Sequence, residues 1–570
     1  MNRYYILFIL LLLFELPASA QVILPERKVD WSLAGLRRTK PSYNNFRNIA
    51  SYGGSGNGAT ANDASLQSAI SSLAGDSGVI YFPPGNYLFN SPINLRSGII
   101  LRGVDASLST ISLSLGGSSH AINITGSSTS DTSFLTAAGV KDSDVITVDN
   151  PAYYQVDGYV KIYQNDTSLI NNDYAFNSVG QVLRIREING NTIRFHSPLR
   201  RNYALQFQPR IRRLIMTSGV GIECIKIKRL DSTAFKGANI YMEFAAQCWL
   251  TGIESDTTNF AHVQIGSCTN IEVKGSYFHG SFGFGANGKG YGVSGEYSSG
   301  ECLIENNVFS RLRHAMIFQT GANGNVIGYN FSRGAFRSES PPQNLVGDIV
   351  LHGNYPYANL FEGNICENIV IDASHRINGP LNTFFRNRAT LYGFLMSQNA
   401  GDSTNVVGTE ITAIGLGVLG SYVINGAGNF LFGNNHRGTI TPAGTTPLPE
   451  SSYYYTSIPS FWDVNSPWPS IGIPNSISAG TIPAKARYDA GINYTICSPK
   501  MTFTFSGTGD WNNVNNWQGQ LPAPTTITSG VEVDINPSTG GECNYTGIIN
   551  MQKGGKLMVR PGKILNIKSN

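Results

Sequence analysis

Asn359-Leu360-Phe361-Glu362-Gly363-Asn364 is followed 23 residues later by Asn382-Thr383-Phe384-Phe385-Arg386-Asn387. The same unit, usually Asn, two mostly apolar residues, two variable ones and a closing Asn, recurs as Cys302-Leu303-Ile304-Glu305-Asn306-Asn307, Asn325-Val326-Ile327-Gly328-Tyr329-Asn330 and Asn429-Phe430-Leu431-Phe432-Gly433-Asn434. The closing Asn falls at 307, 330, 364, 387 and 434, in steps of 23, 34, 23 and 47, and Glu410 divides the last step into 23 and 24. A period near 23 with an occasional insertion of about eleven residues is one turn of a solenoid whose loops lengthen on one side. One such rung cannot bury its own apolar face, so its neighbours must stack on it, and the Met, Phe and Leu at the apolar rung positions become core. An Asn at one place in every turn is expected from its tolerance of left-handed backbone angles and from amide hydrogen bonds between rungs. The Leu-x-x-Leu-x-Leu signature of leucine-rich repeats is absent.

The repeat region runs from Gly221 to about Arg437. Upstream, Asn62 or Asp63 can cap a helix whose Leu66, Ala69, Ile70 and Leu73 share one face, ahead of the strand Gly78 to Tyr87 with its Pro83-Pro84-Gly85 turn. One short helix before many strands suits a cap over the open end of a sheet stack. Between about Thr136 and Tyr203 the strands lengthen, with a turn at Asn189-Gly190-Asn191, which predicts a β subdomain inserted at about 136–203. After Arg437 the chain is rich in Pro, Ser and Thr, so 441–500 is expected to be an extended segment held by its aromatics, and 501–570 a small C-terminal β module. That module is expected to be either a carbohydrate-contacting accessory or a structural end-cap.

Residues 1–20 read as a secretory signal peptide, with Arg3, an apolar run from Ile6 to Phe14 and Ala18-Ser19-Ala20, so a cleaved chain with a leader at 21–46 and a secreted or cell-surface location is expected. The apolar run is shorter than the ~20 residues of a membrane span, and no later segment reaches that length. Charged residues are 14 % of the 570-residue chain and Gly numbers 63, a composition of short strands and turns. The net charge of +4 is too dilute to argue for a nucleic-acid partner. Of seven cysteines, Cys224, Cys248 and Cys268 are spaced like rung members and predict stacked buried thiols, while Cys497 and Cys543 could pair in an oxidising compartment.

The stretch from Asn62-Asp63 to Gly85, with Leu66-Gln67-Ser68-Ala69-Ile70 and Tyr81-Phe82-Pro83-Pro84-Gly85, resembles the opening of the pectate-lyase-type superfamily, and the Asn-terminated rungs resemble its body. The similarity covers roughly residues 47–440. It implies a right-handed parallel β-helix and an extracellular polysaccharide as partner. That superfamily holds lyases, hydrolases, epimerases, tailspike depolymerases and adhesins, so the fold does not choose among them.

Six of the eight histidines fall in the repeat region, and His352 and His375 each lie seven residues before a rung's first Asn. Stacked strands about 4.8 Å apart would set these two imidazoles side by side. Long loops are expected at Gly280 to Gly300 and Gly334 to Tyr357, where sites are usually built. β-Elimination of a uronate needs a base, an acid and a group to neutralise the carboxylate, which assigns His314, His352 or His375 to proton transfer and Arg376 or Arg388 to the carboxylate. Tyr355, Tyr357, Arg386, Glu362, Glu367 and Asp372 are the expected substrate contacts. Two of Glu362, Glu367 and Asp372 would instead serve a hydrolase, and a non-catalytic glycan-binding surface protein is the third reading. Stacked histidines are as readily ladder members, His314 a strand residue, and Arg386 and Arg388 charges paired with Glu362. Pectate lyases often use calcium, yet no dense acidic cluster suits it here, and no cofactor is assigned.

Overall fold

The computed structural model describes residues 22–569 except 41–44, 118, 172, 286–287, 337, 339–345, 492–493, 499, 519–521, 529 and 553, so the expected signal peptide lies outside the described residues. The body is a right-handed parallel β-helix with three faces. The first face is a 12-stranded parallel sheet that runs from Phe46–Asn48 and Gly78–Phe82 through Leu360–Glu362 and Thr383–Phe385 to Phe430–Phe432. The second and third faces merge into one 21-stranded sheet, because Ile365–Ile371 and Arg388–Met396 each run through both. Inward side chains form one continuous core, in which Phe361 stacks on Phe384 at 4.7 Å between ring centroids.

From Gly221–Glu223 onward each first-face strand is only three residues long, and a corner closes it at either end. The closing corner is built by a left-handed residue, Asn306, Tyr329, Gly363, Arg386, Gly408 or Gly433, followed by the inward residue Asn307, Asn330, Asn364, Asn387, Thr409 or Asn434. The recurrent Asn is therefore not the left-handed residue, as the sequence suggested, but its successor. It recurs for hydrogen bonding alone. The Asn364 side chain accepts from the backbone N–H of Asn330 at 3.0 Å through Oδ1 and donates to the Ile327 carbonyl at 2.8 Å. Asn330 and Asn387 repeat this geometry one rung to either side. A second ladder, Asn325, Asn359 and Asn382, closes the opposite corner in the same way. Glu410 does not belong to the ladder; Thr409 occupies that place, its N–H donating to Asn434.

Helix Asp63–Ser71 buries Leu66, Ala69 and Ile70 in the core beside the first rungs. The Asn62 side chain does not cap it but is spent on Ser55, Thr60 and Leu88. The inserted subdomain is a six-stranded antiparallel sheet that spans Ser127 to Ile215, wider than the 136–203 expected, and has its own core. It leaves the solenoid after the third-face strand Ile122–Thr125 and returns before the first-face strand Gly221–Glu223, so it sits on the corner between those faces. It is tied there by Arg200 to Asn323 and Glu301, and by the Gly180 carbonyl to Tyr357 and Asn323.

The outward residues of the first face, Leu303, Val326, Leu360, Phe385 and Val407, are apolar and covered. Ile23, Trp31 and Ala34 of the leader lie on them together with Leu448. The segment after 441 runs back along the solenoid with its aromatics packed, Trp462 and Trp468 among them. The C-terminal module is a second small parallel stack, Met501–Phe505 on Val531–Ile535 on Lys556–Val559, and its core contacts Tyr81 and Val104 of the first rungs. The expected cysteine pairing is corrected: Cys497 is bonded to Cys224, while Cys543 is a free thiol in the module core. Cys248 and Cys268 are buried free thiols, as their spacing suggested, but Cys224 is not.

Truncation of a ladder residue isolates the fold's central device. Asn364→Ala leaves the buried N–H of Asn330 without a partner and takes one of its donors from the carbonyl of Ile327, an expected loss of about 2 kcal/mol, read as a lower denaturant midpoint with an unchanged m-value.

Candidate active-site groove

With the first face covered, the third face carries an open groove. A groove of about 750 Å³ runs along it, lined among others by Tyr241, Glu243, Gln264, Glu296, His352 and His375. Strand register builds its floor: Glu243 pairs with Gly266 and Gly266 with Glu296. One residue past the pairs Gly295 with Phe318, Phe318 with Leu351 and Leu351 with Ile371 stand Glu296, Gln319, His352 and Asp372. A single outward column thus carries Glu243, Glu296, Gln319, His352 and Asp372. The inserted subdomain adds Tyr174 from one side, and Lys236 and Arg313 reach in from turns between the second and third faces.

His352 Nδ1 lies 2.7 Å from Asp372 Oδ2. A carboxylate only accepts, so Nδ1–H donates and the lone pair is left on Nε2. Burial alone would raise the Asp372 pKa, but the hydrogen bond and charge of His352, with the Ser374 N–H, hold it below the ordinary carboxylate value. The His375 ring stands edge-on to His352 at 4.9 Å, and its pKa is lowered by burial and then by His352. The two imidazoles are side by side as expected, although Asp372, not His375, is the residue in strand register with His352. His375 belongs to the following turn, where Tyr174 meets it edge-on at 6.3 Å.

Glu296 is buried and accepts from Ser294, Gln264 and Gln319. Arg313 spends one guanidinium nitrogen on the Gly285 carbonyl, yet its Nε, like Oε1 of Gln264, is buried with no hydrogen-bond partner among the described residues. Two unspent polar atoms in the lining of a groove are places for ligand atoms. Among the described residues no group of three or more His, Cys, Asp or Glu side chains is arranged to hold a metal ion.

The other expected site residues lie elsewhere. His314 is buried behind Tyr291, its Nδ1 donating to the Gly347 carbonyl, and burial drives its pKa down to about 3, so it is a neutral support behind the groove wall. Arg388 is buried on the second face with Glu410 and the Gly480 carbonyl, and Arg386 donates to the carbonyls of Leu448, Glu450, Ile471 and Ile473. Glu362 accepts from Tyr329, Ser452 and the Tyr453 N–H. These three are not surface or substrate groups; they fasten the returning segment. Arg376 bonds the Ser168 carbonyl, Tyr357 the Gly180 carbonyl, and Tyr355 packs under Arg201, so all three join the inserted subdomain to the solenoid. Glu367 accepts from the Ala335 N–H and helps raise the buried Asp348 to about 7, behind burial itself. Of the expected loops, Gly280 to Gly300 contains the third-face strand Tyr291–Glu296, and Gly334 to Tyr357 contains Ile349–Leu351.

The residues 46–192 match the family model described as rhamnogalacturonase A/epimerase, pectate lyase-like. No curated protein sequence matches the chain. Among solved structures, the chain is similar to the tailspike protein gp49 of Pseudomonas phage LKA1, at 14 % identity over 92 % of this chain and 78 % of that one, with a TM-score of 0.49. It is also similar to the mannuronan C-5 epimerase AlgE6 A-module of Azotobacter vinelandii, at 13 % identity over 92 % of this chain and 99 % of that one, with a TM-score of 0.34. The Gp54 tailspike of Acinetobacter baumannii bacteriophage AP22, solved with a capsular saccharide, gives 11 % identity over 68 % and 69 % of the two chains and a TM-score of 0.37. The protein is a right-handed parallel β-helix whose residues 46–192 match a pectate-lyase-like family model. Among the described residues no helix is long and apolar enough to cross a membrane.

Buried neutral histidines give this scaffold a definite acid response. His314 and His262 keep folded-state pKa values of about 3, whereas in the unfolded chain they protonate near ~6.5. The unfolded state therefore binds more protons between those values, and the stability present above pH ~6.5 is lost as pH falls toward 3. His314→Asn retains a donor for Gly347 and removes one titration. The variant's loss of unfolding free energy between pH 7 and pH 4 is expected to be smaller than the wild type's by about 3 kcal/mol, measured by denaturant unfolding.

Proposed function

We propose that the third-face groove cleaves an acidic extracellular polysaccharide by β-elimination, with His352 as the base. The observation that carries this reading is the His352–Asp372 pair, oriented by a 2.7 Å hydrogen bond inside a groove that also holds an unspent cationic donor, Arg313 Nε. His352 Nε2 takes the C5 proton, and the resulting imidazolium is stabilised by Asp372. Arg313 and Lys236, rather than Arg376 or Arg388, are the cations available to the C6 carboxylate, whose neutralisation makes the C5 proton removable. The C5–H electron pair becomes the C4–C5 double bond, the C4–O bond breaks, and the leaving oxygen takes a proton from a groove hydroxyl. Tyr174, whose pKa burial raises, stays protonated and meets that need.

A second reading has support from one observation. Glu243 and Glu296 face the same groove two rungs apart, on the order of 10 Å between their backbones, close to the upper carboxylate spacing of an inverting hydrolase. It replaces the expected pair from Glu362, Glu367 and Asp372, of which only Asp372 stands in the groove's column. Secretion and a surface location remain part of the proposal, since an extracellular polymer is the substrate.

Incubation with uronate, sulfated and neutral polysaccharides separates the readings. Elimination yields products with ultraviolet absorbance from the unsaturated uronate; hydrolysis yields reducing ends without it; binding with neither identifies a glycan-binding surface protein. On the elimination reading His352→Ala lowers kcat by at least about 100-fold and Asp372→Asn by about 10- to 100-fold. Wild-type turnover in His352→Ala would remove His352 from the reaction.

A further inference from the structure

The groove lining is ordered along the solenoid axis and is uneven about the candidate reacting centre. Its far member, His120, precedes the strand Ile122–Thr125, and six successive third-face pairings lead from that strand to Ile365–Ile371. At about 4.8 Å per step the lining extends roughly 29 Å. The His352–Asp372 pair lies at its last step. The next residue of the outward column, Ser397, one past the pair Ile371 with Met396, is exposed and does not line the groove. Tyr174 flanks this end from the inserted subdomain: it rests on His375 and its hydroxyl accepts from Asn354 Nδ2 at 3.2 Å, on a turn anchored by the buried Ala175.

The opposite end carries an aromatic platform instead of a stop. His120 lies flat on Tyr241, with centroids 4.0 Å apart and planes at 7°, and Phe235 meets His120 edge-on at 5.5 Å. The Ala238 N–H donates to His120 Nδ1, which fixes the imidazole plane, and burial lowers its pKa to about 4, so the stack is neutral at working pH. A rigid ring pair beside polar side chains is a surface on which a sugar ring can rest.

We infer that the groove is a one-sided row of sugar subsites, with Tyr241 as its distal platform, and that the enzyme cuts its chain next to the end held against Tyr174. Each unit of an extended glycan advances by roughly one rung, so about five units occupy the long side and at most one or two the short side. This rests on His352 being the reacting centre. The ligand class is a linear acidic oligosaccharide of about six units, bound parallel to the solenoid axis.

The test uses the whole protein and end-labelled uronate oligosaccharides from trisaccharide to octasaccharide, drawn from the polymer that the panel identifies. The expected result is a kcat/KM that rises up to the hexasaccharide and then levels off, with one bond near a single end broken in each. Tyr241→Ala is expected to reduce the preference for hexasaccharide over trisaccharide about tenfold, through KM, with Tyr241→Phe retaining it and showing that the strand is intact. Cleavage at many bonds, or a preference unchanged in Tyr241→Ala, overturns the one-sided row and leaves the elimination reading standing. Absence of unsaturated products from every substrate overturns that reading, and this inference with it.

Discussion

The structure depends on what holds one rung to the next at its corners. First-face strands of about three residues make too few ladder bonds to fix their own ends, and each corner must turn the chain while burying backbone N–H and C=O groups. The left-handed residue makes the turn, and the inward Asn that follows satisfies the groups the turn exposes. Because Oδ1 and one Nδ2–H bond the preceding rung while the other Nδ2–H bonds the next, one side chain couples three turns of the solenoid. Low dielectric around these amides strengthens such a chain of bonds and makes a missing member costly. Everything functional is hung on this rigid stack, including the column that brings Glu296, Gln319, His352 and Asp372 into line.

Coverage then decides where chemistry can occur. The leader seals the apolar outward residues of the first face, while buried ion pairs and hydrogen bonds from Arg386, Arg388, Glu362 and Glu410 clamp the returning segment. A buried charge is tolerable only when so fully partnered. The third face is left as a polar and aromatic trough walled by the inserted subdomain. The same residue types thus do opposite work on two faces: arginine and glutamate are fasteners where they are dry, and ligand-facing groups where the groove keeps them accessible.

The sequence made the solenoid legible because the first-face unit repeats at nearly constant length, and its closing Asn marks each turn. It made the site only partly legible. His352 and His375 are found by counting back from Asn359 and Asn382, with Asp372 on the same rungs, and the structure brings all three together, but those rungs also drew in Arg386, Arg388 and Glu362, whose burial depends on a segment some 60 to 90 residues away in sequence. Glu243, Tyr241, Glu296 and Arg313 escaped notice because third-face strands are separated by loops of unequal length, so no fixed offset aligns them. Tyr174 could not be placed at all without knowing which corner the inserted subdomain occupies. A usable signal was present in the alternation of Ile240-Tyr241-Met242-Glu243, which sets Tyr241 and Glu243 on one outward face.

A solenoid is ordinarily one-dimensional: each turn knows only its neighbours, and either end can fray without consequence for the other. Here the chain doubles back. Thr528 bonds Asp105 across 423 residues of sequence, Cys497 is joined to Cys224, and the C-terminal stack shares a core with Tyr81 and Val104. These contacts convert an open row of rungs into a closed circuit, in which the last part of the polypeptide secures the first. Fraying at one terminus must then break contacts belonging to the other, so the molecule should lose structure as a single unit rather than rung by rung, and the groove column is protected from both ends at once.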